Sequence, residues 1–444
     1  MPHIYKCSQL NWGKLGKIVS FFAWIANIRR LGGLLFIVCQ DGSGIIQVVV
    51  KNNALIEELK KIKKGDLCLL KGIVKKKNGS LKEEIEIDLE KCQLTNSSKE
   101  LPFEIKDEAS INEDTRYRYR YLDLRRPHSK KLLLIKDQFL YELRKFLHQQ
   151  GFVDIETPIL AQSSPEGAKC FLVPANLENR YYTLPQSPQI FKQLLMMSWF
   201  DKFYQVSKSF RNEDARSNRQ IEFSQLDLEM SFVSAKEIKK FTEKLLKNVL
   251  KKVFGYHLKT PFLSLTYQEV MEKYKTDKPD LRKDPKNEKE LSFLWITDWP
   301  LFEYNQETKK YEVFRHPFTI PQKKYIKPLL DNEIKPEKII CEAFDLVLNG
   351  EEILSGSVRI HTYKLQEKVL EILGYNRTER EKNFGYFLRA LEFAAPPHGG
   401  LGLGIDRLLA AILQVKNLKE LIAFPKNIDG TCSLTGTPNF FKNH

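Results

Sequence analysis

The stretch Phe210-Arg-Asn-Glu-Asp-Ala-Arg-Ser-Asn-Arg-Gln-Ile-Glu-Phe223 carries three arginines within nine residues and lies between two apolar runs, residues 203–210 and 223–232. The runs predict two antiparallel strands joined by this charged loop. Arginine binds phosphate through a fork of donors, and an aromatic ring such as Phe223 can stack on a nucleobase. The stretch therefore indicates either a nucleotide-binding hairpin or a solvated hairpin tip in which Phe223 is an ordinary core residue.

Further hairpins are predicted on the C-terminal side of this stretch. Residues 294–303 and 311–318 form one candidate pair of strands, and residues 339–348 and 355–361 form another. On the N-terminal side, apolar residues recur at helical spacing from residue 130 to 149, and Gly151 follows as a stop signal. Long strands linked by hairpins and mixed with helices predict an α+β domain around an antiparallel sheet.

The last of these hairpins places two carboxylates around a predicted turn, Asn349-Gly350. Asp345 and Glu352 are seven residues apart and can face one site from the two strands. Hard oxygen ligands of this kind suit Mg²⁺, which takes a few carboxylates together with substrate phosphates. The alternative is a pair of ordinary carboxylates at the edges of a hairpin.

Two other segments contain residue types that can bind a nucleotide or a substrate. Gly400-Leu-Gly-Leu-Gly-Ile-Asp-Arg407 precedes an apolar helix-like run, so Arg407 can reach a phosphate from a helix start, although a glycine-rich core crossing explains the pattern equally. Pro188 can open a helix that carries Lys192 on its first or second turn. The alternative for Lys192 is a surface lysine.

The N-terminal residues 1–95 read as all-β. Strand-like runs lie at residues 17–28, 34–40, 44–50, 67–74 and 84–89, with a helix-like stretch at residues 54–63. Five strands with a helix after the third predict an OB-fold, a small barrel that binds oligonucleotides. The apolar run at residues 18–28 also fits a signal peptide, but the strand-like runs and turns that follow favour a strand.

The composition favours a polyanionic partner in a reducing compartment. The 444 residues include 71 Lys and Arg against 56 Asp and Glu, a net charge of +15, which indicates nucleic acid, an anionic membrane surface or simply a lysine-rich surface. The seven cysteines form no C-x-x-C pair, which argues against a disulfide framework and a zinc ribbon. No run approaches the roughly 18 apolar residues of a transmembrane helix, so we expect no membrane association.

On the predicted barrel, Arg29, Arg30, Phe36 and Gln47 combine basic groups with an aromatic ring and an amide, as in platforms for single-stranded nucleic acid. Phe36 as a core residue of the barrel is the alternative.

Seven motifs occur in the order that is typical of one enzyme family. They are the helix before Gly151 with Phe152-Val-Asp-Ile-Glu-Thr-Pro158 (motif 1), the stretch at residues 210–223 (motif 2), Gly402-Leu-Gly-Ile-Asp-Arg407 (motif 3), Arg116-Tyr-Arg-Tyr-Arg-Tyr-Leu-Asp-Leu-Arg-Arg126, Ser164-Pro-Glu-Gly-Ala168, Gln186-Ser-Pro-Gln-Ile-Phe-Lys192 and Gly356-Ser-Val-Arg-Ile-His361. Together they resemble class II aminoacyl-tRNA synthetases, and within these the bacterial-type aspartyl enzymes, over nearly the whole chain.

The resemblance implies an N-terminal OB-fold anticodon-binding domain (residues 1–95), a linker (96–116) and a class II catalytic domain (117–444) built on a six-stranded antiparallel sheet. It implies a cytoplasmic homodimer with Pro158 at the interface, and the ATP-dependent ligation of L-aspartate to tRNA(Asp). The alternatives are an enzyme that also charges tRNA(Asn) with aspartate, an asparaginyl or lysyl enzyme, and an RNA-binding paralogue without catalysis.

The resemblance also assigns roles to single residues. Arg211 and Arg407 are the expected catalytic residues: Arg211 clamps the α-phosphate of ATP, and Arg407 covers the adenine and reaches the γ-phosphate. Phe223 stacks on the other face of the adenine. The further ATP-binding positions are Glu213, Gln220 and Glu352, and the expected Mg²⁺ ligands are Asp345 and Glu352.

Lys192 and Arg359 are expected to grip the side-chain carboxylate of aspartate. Asparaginyl relatives have an arginine like Arg359 but lack a lysine placed like Lys192, which is why aspartate is expected. The remaining aspartate-binding positions are Glu166, Ser187, Gln189, Asp227 and His316, and the anticodon-binding positions are Arg29, Phe36, Gln47 and Glu86.

The chain departs from the family pattern at several places. An insertion domain of bacterial aspartyl enzymes looks deleted near residues 281–292, and the tail after Arg407 is short. Arg315 stands where the family has the first histidine of His-His-Pro-Phe-Thr. Leu354 and Ser355 stand in place of two glycines, and Val49 replaces an aromatic residue on the barrel.

Overall fold

The computed structural model describes residues 3–77, 84–162, 169–214, 216–287 and 289–439. The chain divides into two compact units, residues 1–130 and 131–444. Within the described ranges, no helix has both the length and the apolar composition needed to cross a membrane.

The described part of the first unit is a sheet that closes on itself. Its strands are β1 (Ile4–Tyr5), β2 (Ile18–Leu31), β3 (Leu34–Gln40), β4 (Ile45–Val50), β5 (Leu67–Lys76) and β6 (Ile85–Asn96). Their order is β1-β2-β3-β4-β6-β5, and a further pairing of β2 with β5 closes the barrel. Helix α1 (Asn53–Glu58) lies between β4 and β5 in the sequence. The predicted OB-fold is confirmed, and the apolar run that also fitted a signal peptide forms most of β2.

Strand β3 illustrates how the barrel separates its two faces. Leu35, Ile37 and Cys39 are buried in the barrel core, because alternate residues of a strand point to the same side. Phe36 lies between them in sequence, is only partly buried and belongs to the outer face. The alternative that Phe36 is a core residue is therefore wrong.

The arginine-rich signature at residues 116–126 forms α2 (Glu113–Arg118), α3 (Arg120–Asp123) and the turn after them. Its centre is the buried Asp123, whose carboxylate accepts from Arg116 Nε at 2.9 Å and Arg126 Nη1 at 3.1 Å and contacts Arg120. Burial alone would raise the pKa of Asp123, but these arginines hold it below its usual value. The signature is thus an ion cluster that fixes the chain after the barrel.

The second unit combines a large sheet with helices. Its helices are α4 (Pro127–Gln149), α5 (Gln189–Met197), α6 (Ala235–Phe254), α7 (Tyr267–Tyr274), α8 (Lys323–Leu330), α9 (Tyr363–Ile372), α10 (Arg377–Leu391) and α11 (Ile405–Leu413). Its strands are β7 (Val153–Asp154), β8 (Leu172–Pro174), β9 (Tyr181–Thr183), β10 (Lys202–Phe210), β11 (Glu222–Ser231), β12 (Leu263–Thr266), β13 (Phe293–Thr297), β14 (Phe302–Asn305), β15 (Lys310–Val313), β16 (Ala343–Leu348), β17 (Glu351–Val358) and β18 (His398–Gly404).

Eight of these strands form one sheet in the order β12-β13-β16-β17-β18-β11-β10-β7 among the described residues. The six strands from β13 to β10 pair antiparallel, and β12 and β7 add parallel edges. Phe344 and Leu346 of β16 belong to one apolar cluster, while Val347 belongs to a second. Because neighbouring residues of a strand face opposite ways, the two clusters cover the two faces of the sheet. The predicted α+β class with an antiparallel sheet is confirmed.

Local signals set the ends of the helices. In α6, Ser234 and Glu237 form a reciprocal capping box at the start, and Gly255 ends the helix in the left-handed conformation at φ 74°. Gly151, with φ 80°, follows α4 in the same way. The predicted helix at residues 130–149 is therefore confirmed, and it begins three residues earlier, at Pro127.

One predicted hairpin is wrong in part. Residues 294–303 are not one strand: β13 pairs with β12 and β16 in the large sheet, and only β14 pairs with β15. The break has a backbone cause, because Asp298 adopts φ 57° and Pro300 has no N–H to continue a ladder.

Candidate active site

A polar cavity of about 430 Å³ lies in the second unit, between strands β11, β17 and β18 and helices α5 and α11. The cavity brings together twelve of the residues predicted for ATP and aspartate: Ser187, Gln189, Lys192, Arg211, Glu213, Gln220, Phe223, Asp227, His316, Glu352, Arg359 and Arg407. These positions span more than two hundred residues of sequence and converge because the central strands and the starts of the helices meet here.

One predicted Mg²⁺ ligand does not line the described cavity. Asp345 is 1% exposed and lies behind Arg315, which it contacts and which lines the cavity. Glu166 lies outside the described residues.

One end of the cavity is a buried network of two cations and two carboxylates. Lys192 Nζ lies 3.1 Å from Asp227 Oδ1 and 3.5 Å from Glu229 Oε2. Arg359 donates to both oxygens of Glu229, at 2.7 and 3.1 Å. All four side chains are at most 2% exposed. We call these four residues the carboxylate-binding network; Lys192 is not the surface lysine of the alternative.

The electrostatics of this network keep Glu229 ionised. Burial alone would raise the pKa of Glu229, but the charges of Arg359 and Lys192 hold it below its usual value. Asp227 also accepts from Ser207 Oγ at 2.7 Å and from Gln225 Nε2 at 3.1 Å. The contacts with Asp227 and Glu229 therefore position the two cations.

His316 is held neutral against Arg359. Arg359 Nη1 lies 2.7 Å from His316 Nε2 and 2.6 Å from Ser357 Oγ. An arginine only donates, so Nε2 must accept and cannot carry a proton. Desolvation and the nearby charges of Arg359 and Lys192 lower the pKa of His316 well below its usual value.

Glu229 is the residue that the sequence interpretation missed. It lies two positions after Asp227 in the alternating run Leu226-Asp-Leu-Glu-Met230, so both carboxylates share one face of β11. The sequence signal that could have identified Glu229 is a second carboxylate two residues after the first within a core strand. Gly400 of β18 makes room for it, because a Cβ at Gly400 would collide with Leu228 O and the carboxylate of Glu229. This close approach explains why the residue at position 400 is a glycine.

The other end of the cavity carries the arginines of motifs 2 and 3. Arg211, at the end of β10, places its guanidinium 5.3 Å from the centre of the Phe223 ring. Arg407, in the first turn of α11, donates from Nη1 to Glu352 O at 2.8 Å. Gln220 joins the loop to the C-terminal segment through two hydrogen bonds with the backbone of Lys426, at 3.0 and 3.2 Å. Arg219 lies 3.5 Å from Glu213 across the loop.

A β-bulge places Asp345 and Glu352 on one face of their hairpin. The turn Asn349-Gly350 has positive φ at both residues, and Val347 pairs with Glu352 while Leu346 pairs with Leu354. Ile353 is therefore an extra residue, and the shift turns Glu352 to the side of Val347 and Asp345. Without the bulge, Ile353 would face this side.

Arg315 lies between these two carboxylates. Its Nη2 atom contacts Asp345 Oδ2, and its Nη1 atom lies 3.7 Å from Glu352 Oε2. Burial raises the pKa of Asp345 to about 7, and the charge of Arg315 opposes this. We call Arg315, Asp345 and Glu352 the phosphate-side cluster.

The donor chemistry of this cluster matches Mg²⁺ only in part. Two carboxylates are suitable hard ligands, and Asp345 Oδ1 is buried with no hydrogen-bond partner among the described residues. However, the guanidinium of Arg315 already compensates the pair, so the side chains as arranged do not fit a resident metal ion.

Leu354, which stands where the family pattern has a glycine, is a core residue. It is 1% exposed, belongs to one of the two apolar clusters of the sheet and pairs with Leu346 and Leu403. A leucine at this position fills the core on the side of the sheet opposite to Ser355, because neighbouring residues of β17 face opposite ways.

In the first unit, the predicted anticodon residues lie on neighbouring strands. Arg29 of β2 pairs with Phe36 of β3, and Val38 of β3 pairs with Gln47 of β4. Gln47 donates to Glu86 Oε2 at 3.1 Å. Arg29 is exposed, Phe36 and Gln47 are partly buried, and Glu86 is 6% exposed. The four side chains thus occupy adjacent strands of the barrel.

Comparison with known proteins identifies the family. Residues 112–428 match the model of class II tRNA synthetases (D, K and N), and residues 19–95 match the OB-fold nucleic acid binding domain.

The similar curated proteins include aspartate ligases. A protein of Dictyoglomus turgidum, named aspartate–tRNA(Asp/Asn) ligase, is 34% identical over 99% of this chain and 96% of its own length. The aspartate–tRNA ligase of Staphylococcus saprophyticus is 33% identical over 98% of this chain and 96% of its own length. The first alignment is 571 positions long and the chain has 444 residues, so the relative has segments with no counterpart here.

Solved structures show the same fold. The asparaginyl-tRNA synthetase of Pyrococcus horikoshii in complex with asparaginyl-adenylate matches with a TM-score of 0.76 and 22% identity, over 96% of this chain and 98% of that chain. The aspartyl-tRNA synthetase of Entamoeba histolytica matches with a TM-score of 0.73 and 22% identity, over 96% and 91%. With its barrel, its antiparallel sheet and its cavity, the chain belongs to the class II tRNA synthetases of the D, K and N family.

Proposed function

We propose that the chain activates L-aspartate with ATP and transfers the aspartyl group to the 3′ end of tRNA(Asp). The observation that carries this proposal is the carboxylate-binding network, in which Lys192 and Arg359 are buried at one end of a cavity with Arg211 and Arg407 at the other. The aspartate ligases among the similar proteins support the same substrate.

The amino-acid end selects a carboxylate side chain by charge. Lys192 and Arg359 can each contact a substrate carboxylate while Asp227 and Glu229 hold them in place. Asparagine would present an amide to two buried cations, and a site built around a polar group rejects an analogue lacking it by on the order of 10⁴-fold. Neutral His316 leaves the positive charge of Arg359 undiminished.

The other polar residues would orient the substrate backbone. Asp227 offers an acceptor to the ammonium group. Gln189 has a buried Nε2 atom without a partner among the described residues, and its amide can present either atom to the substrate. Ser187 lies beside it on the cavity wall. Glu166, which lies outside the described residues, remains a prediction for the ammonium group.

The reaction depends on the positioning of ATP and aspartate and needs no nucleophile from the protein. The α-carboxylate of aspartate attacks the α-phosphorus of ATP in line, pyrophosphate leaves, and the aspartyl-adenylate forms. A terminal ribose hydroxyl of the tRNA then attacks the acyl carbon, and AMP leaves. Arg211 and Arg407 stabilise the charge that develops on the phosphates, with Phe223 holding the adenine. Mg²⁺ that enters with ATP would add positive charge at the phosphate oxygens.

Several properties remain predictions. A homodimer is supported by the exposure of Pro158 and its apolar neighbours Ile159 (47% exposed) and Leu160 (51% exposed). Three further properties stay predictions. They are the division into residues 1–95, 96–116 and 117–444, the deletion near residues 281–292, and a cytoplasmic location. Aspartylation of tRNA(Asn) is a second candidate activity, favoured by the name of the Dictyoglomus relative.

The test is charging of tRNA transcripts with aspartate. We expect aspartyl-tRNA from tRNA(Asp), and the product from tRNA(Asn) decides the second activity. Phe36→Ala should raise the KM for tRNA about 10-fold, the loss of one base-stacking contact. Ile45→Ala, which truncates an exposed side chain of the same barrel, is the matched control. RNA binding without any charging would favour the RNA-binding paralogue.

A further inference from the structure

Arg315 is held as a cation by three different contacts. Nη2 contacts Asp345, Nη1 lies 3.7 Å from Glu352, and the guanidinium carbon lies 3.6 Å from the centre of the Trp299 ring. Trp299 is completely buried, and Arg315 is only 18% exposed. The plane of the indole and the two carboxylates therefore form a built site for a guanidinium.

The parts of this site come from separate segments of the chain. Trp299 follows the break after β13, Arg315 follows β15, and the carboxylates flank the bulged turn of β16 and β17. Arginine suits such a site because its planar group stacks on an aromatic face while its edge meets carboxylates. A spherical metal ion would use the two carboxylates but gain nothing from the stacking surface.

A divalent cation at the same carboxylates would have to displace Arg315 or lie beside it. Displacement would break the contact with Asp345 and leave the guanidinium stacked on Trp299 without its main counter-ion. Coexistence would place like charges within a few ångströms in a partly buried site, where charge interactions are stronger than in water. Arg315 and a metal ion therefore compete for this pair.

We propose that the guanidinium of Arg315 takes the place of a divalent cation at Asp345 and Glu352. The ligand-free protein accordingly binds no divalent ion at this pair, and Arg315 supplies permanent positive charge to the phosphate end of the cavity. That this end of the cavity binds the phosphates of ATP rests on the proposed function, but the competition between Arg315 and a metal ion does not.

The test is a titration of the full chain with Mn²⁺ alone, followed by the electron paramagnetic resonance signal of the free ion. Wild type is compared with Arg315→Gln, which removes the charge, and with Arg315→Lys, which keeps it. A double variant, Arg315→Gln with Asp345→Asn, removes one of the two carboxylates that would bind the ion. The thermal midpoint and near-ultraviolet circular dichroism of each variant establish that it is folded.

Arg315→Gln should bind one Mn²⁺ at least about 10-fold more tightly than wild type, because the competing cation is gone. Arg315→Lys should remain close to wild type, and the double variant should lose the gain. Equal binding by wild type and a folded Arg315→Gln would overturn the proposal, whether both bind or neither does. The titration contains no ATP, aspartate or tRNA, so its outcome is separate from that of the charging experiment.

Discussion

Both ends of the cavity place carboxylates beside arginine or lysine, but the number and the burial of the charged groups differ. The carboxylate-binding network pairs two cations with two carboxylates, and all four side chains are at most 2% exposed. The phosphate-side cluster has one cation for two carboxylates, and Glu352 is 30% exposed. Arg315 Nε and Asp345 Oδ1 have no hydrogen-bond partner among the described residues.

The amino-acid end of the cavity is the more rigid of the two ends. Breaking a balanced, buried ion network leaves an uncompensated charge, so its geometry is strongly determined. The phosphate-side cluster is more exposed, and Asp345 Oδ1 has no hydrogen-bond partner among the described residues, so this cluster can exchange one cation for another. The amino-acid end is thus suited to discrimination, and the phosphate end to accommodating charge that changes during the reaction.

The largest effect is expected at Lys192. Lys192→Gln removes one of the two cations that would contact the substrate carboxylate, so kcat/KM for aspartate in ATP–pyrophosphate exchange should fall by about 10³-fold or more. The exposed Lys323→Gln is the control and should leave exchange unchanged. A fall in kcat/KM of less than tenfold for Lys192→Gln would mean that the network does not recognise the side-chain carboxylate of the substrate.

Glu229→Gln tests the rigidity of the network itself. It leaves Arg359 and Lys192 with one carboxylate for two buried cations, and the free energy of unfolding in urea should fall by about 3–5 kcal/mol. Glu222→Gln, on the same strand but only partly buried, serves as the comparison. A fall of less than about 1 kcal/mol at Glu229, as for a surface ion pair, would contradict the contrast between the two ends.

His316 provides a pH test. Its pKa lies well below the usual 6.5 in the folded chain, so below pH 6.5 the unfolded chain binds more protons than the folded chain. Stability should therefore fall as pH drops below 6.5, by up to about 1.4 kcal/mol per pH unit until the folded pKa is reached. His316→Asn should remove this part of the slope in urea titrations between pH 7 and 5. An unchanged slope would mean that His316 is not held neutral.

The smallest effect is expected at Asp345. Asp345→Asn keeps the shape of a carboxyl group whose pKa is already raised to about 7 and whose Oδ1 has no described partner. We expect a change of about 1 kcal/mol in the free energy of unfolding at pH 7, well below that of Glu229→Gln. Equal losses of unfolding free energy for Asp345→Asn and Glu229→Gln would show that the two clusters do not differ in rigidity.

Local sequence patterns sufficed to predict much of the fold and of the candidate site. The barrel followed from five strand-like runs, and the charged hairpin at residues 210–223 and the helix carrying Lys192 lie where their sequences predict. Glu229 shares an alternating strand with Asp227 and was recognisable in principle. These features depend on neighbouring residues, which a sequence displays directly.

The phosphate-side cluster could not be predicted in the same way. Its geometry depends on an extra residue, Ile353, in the pairing of β16 with β17, and on the backbone of Asp298, which turns Trp299 out of the preceding strand. The sequence displays Arg315 as an unusual residue, but its stacking on Trp299 arises only when distant segments pack together. Register and tertiary contacts of this kind have no local signature.

The buried network is proposed to select an amino acid with a carboxylate side chain. The direct measurement is ATP–pyrophosphate exchange by the unmodified chain, with aspartate and asparagine side by side in the presence of Mg²⁺. We expect exchange with aspartate, and a kcat/KM for asparagine that is lower by on the order of 10⁴-fold. Exchange with asparagine equal to or above that with aspartate would contradict it.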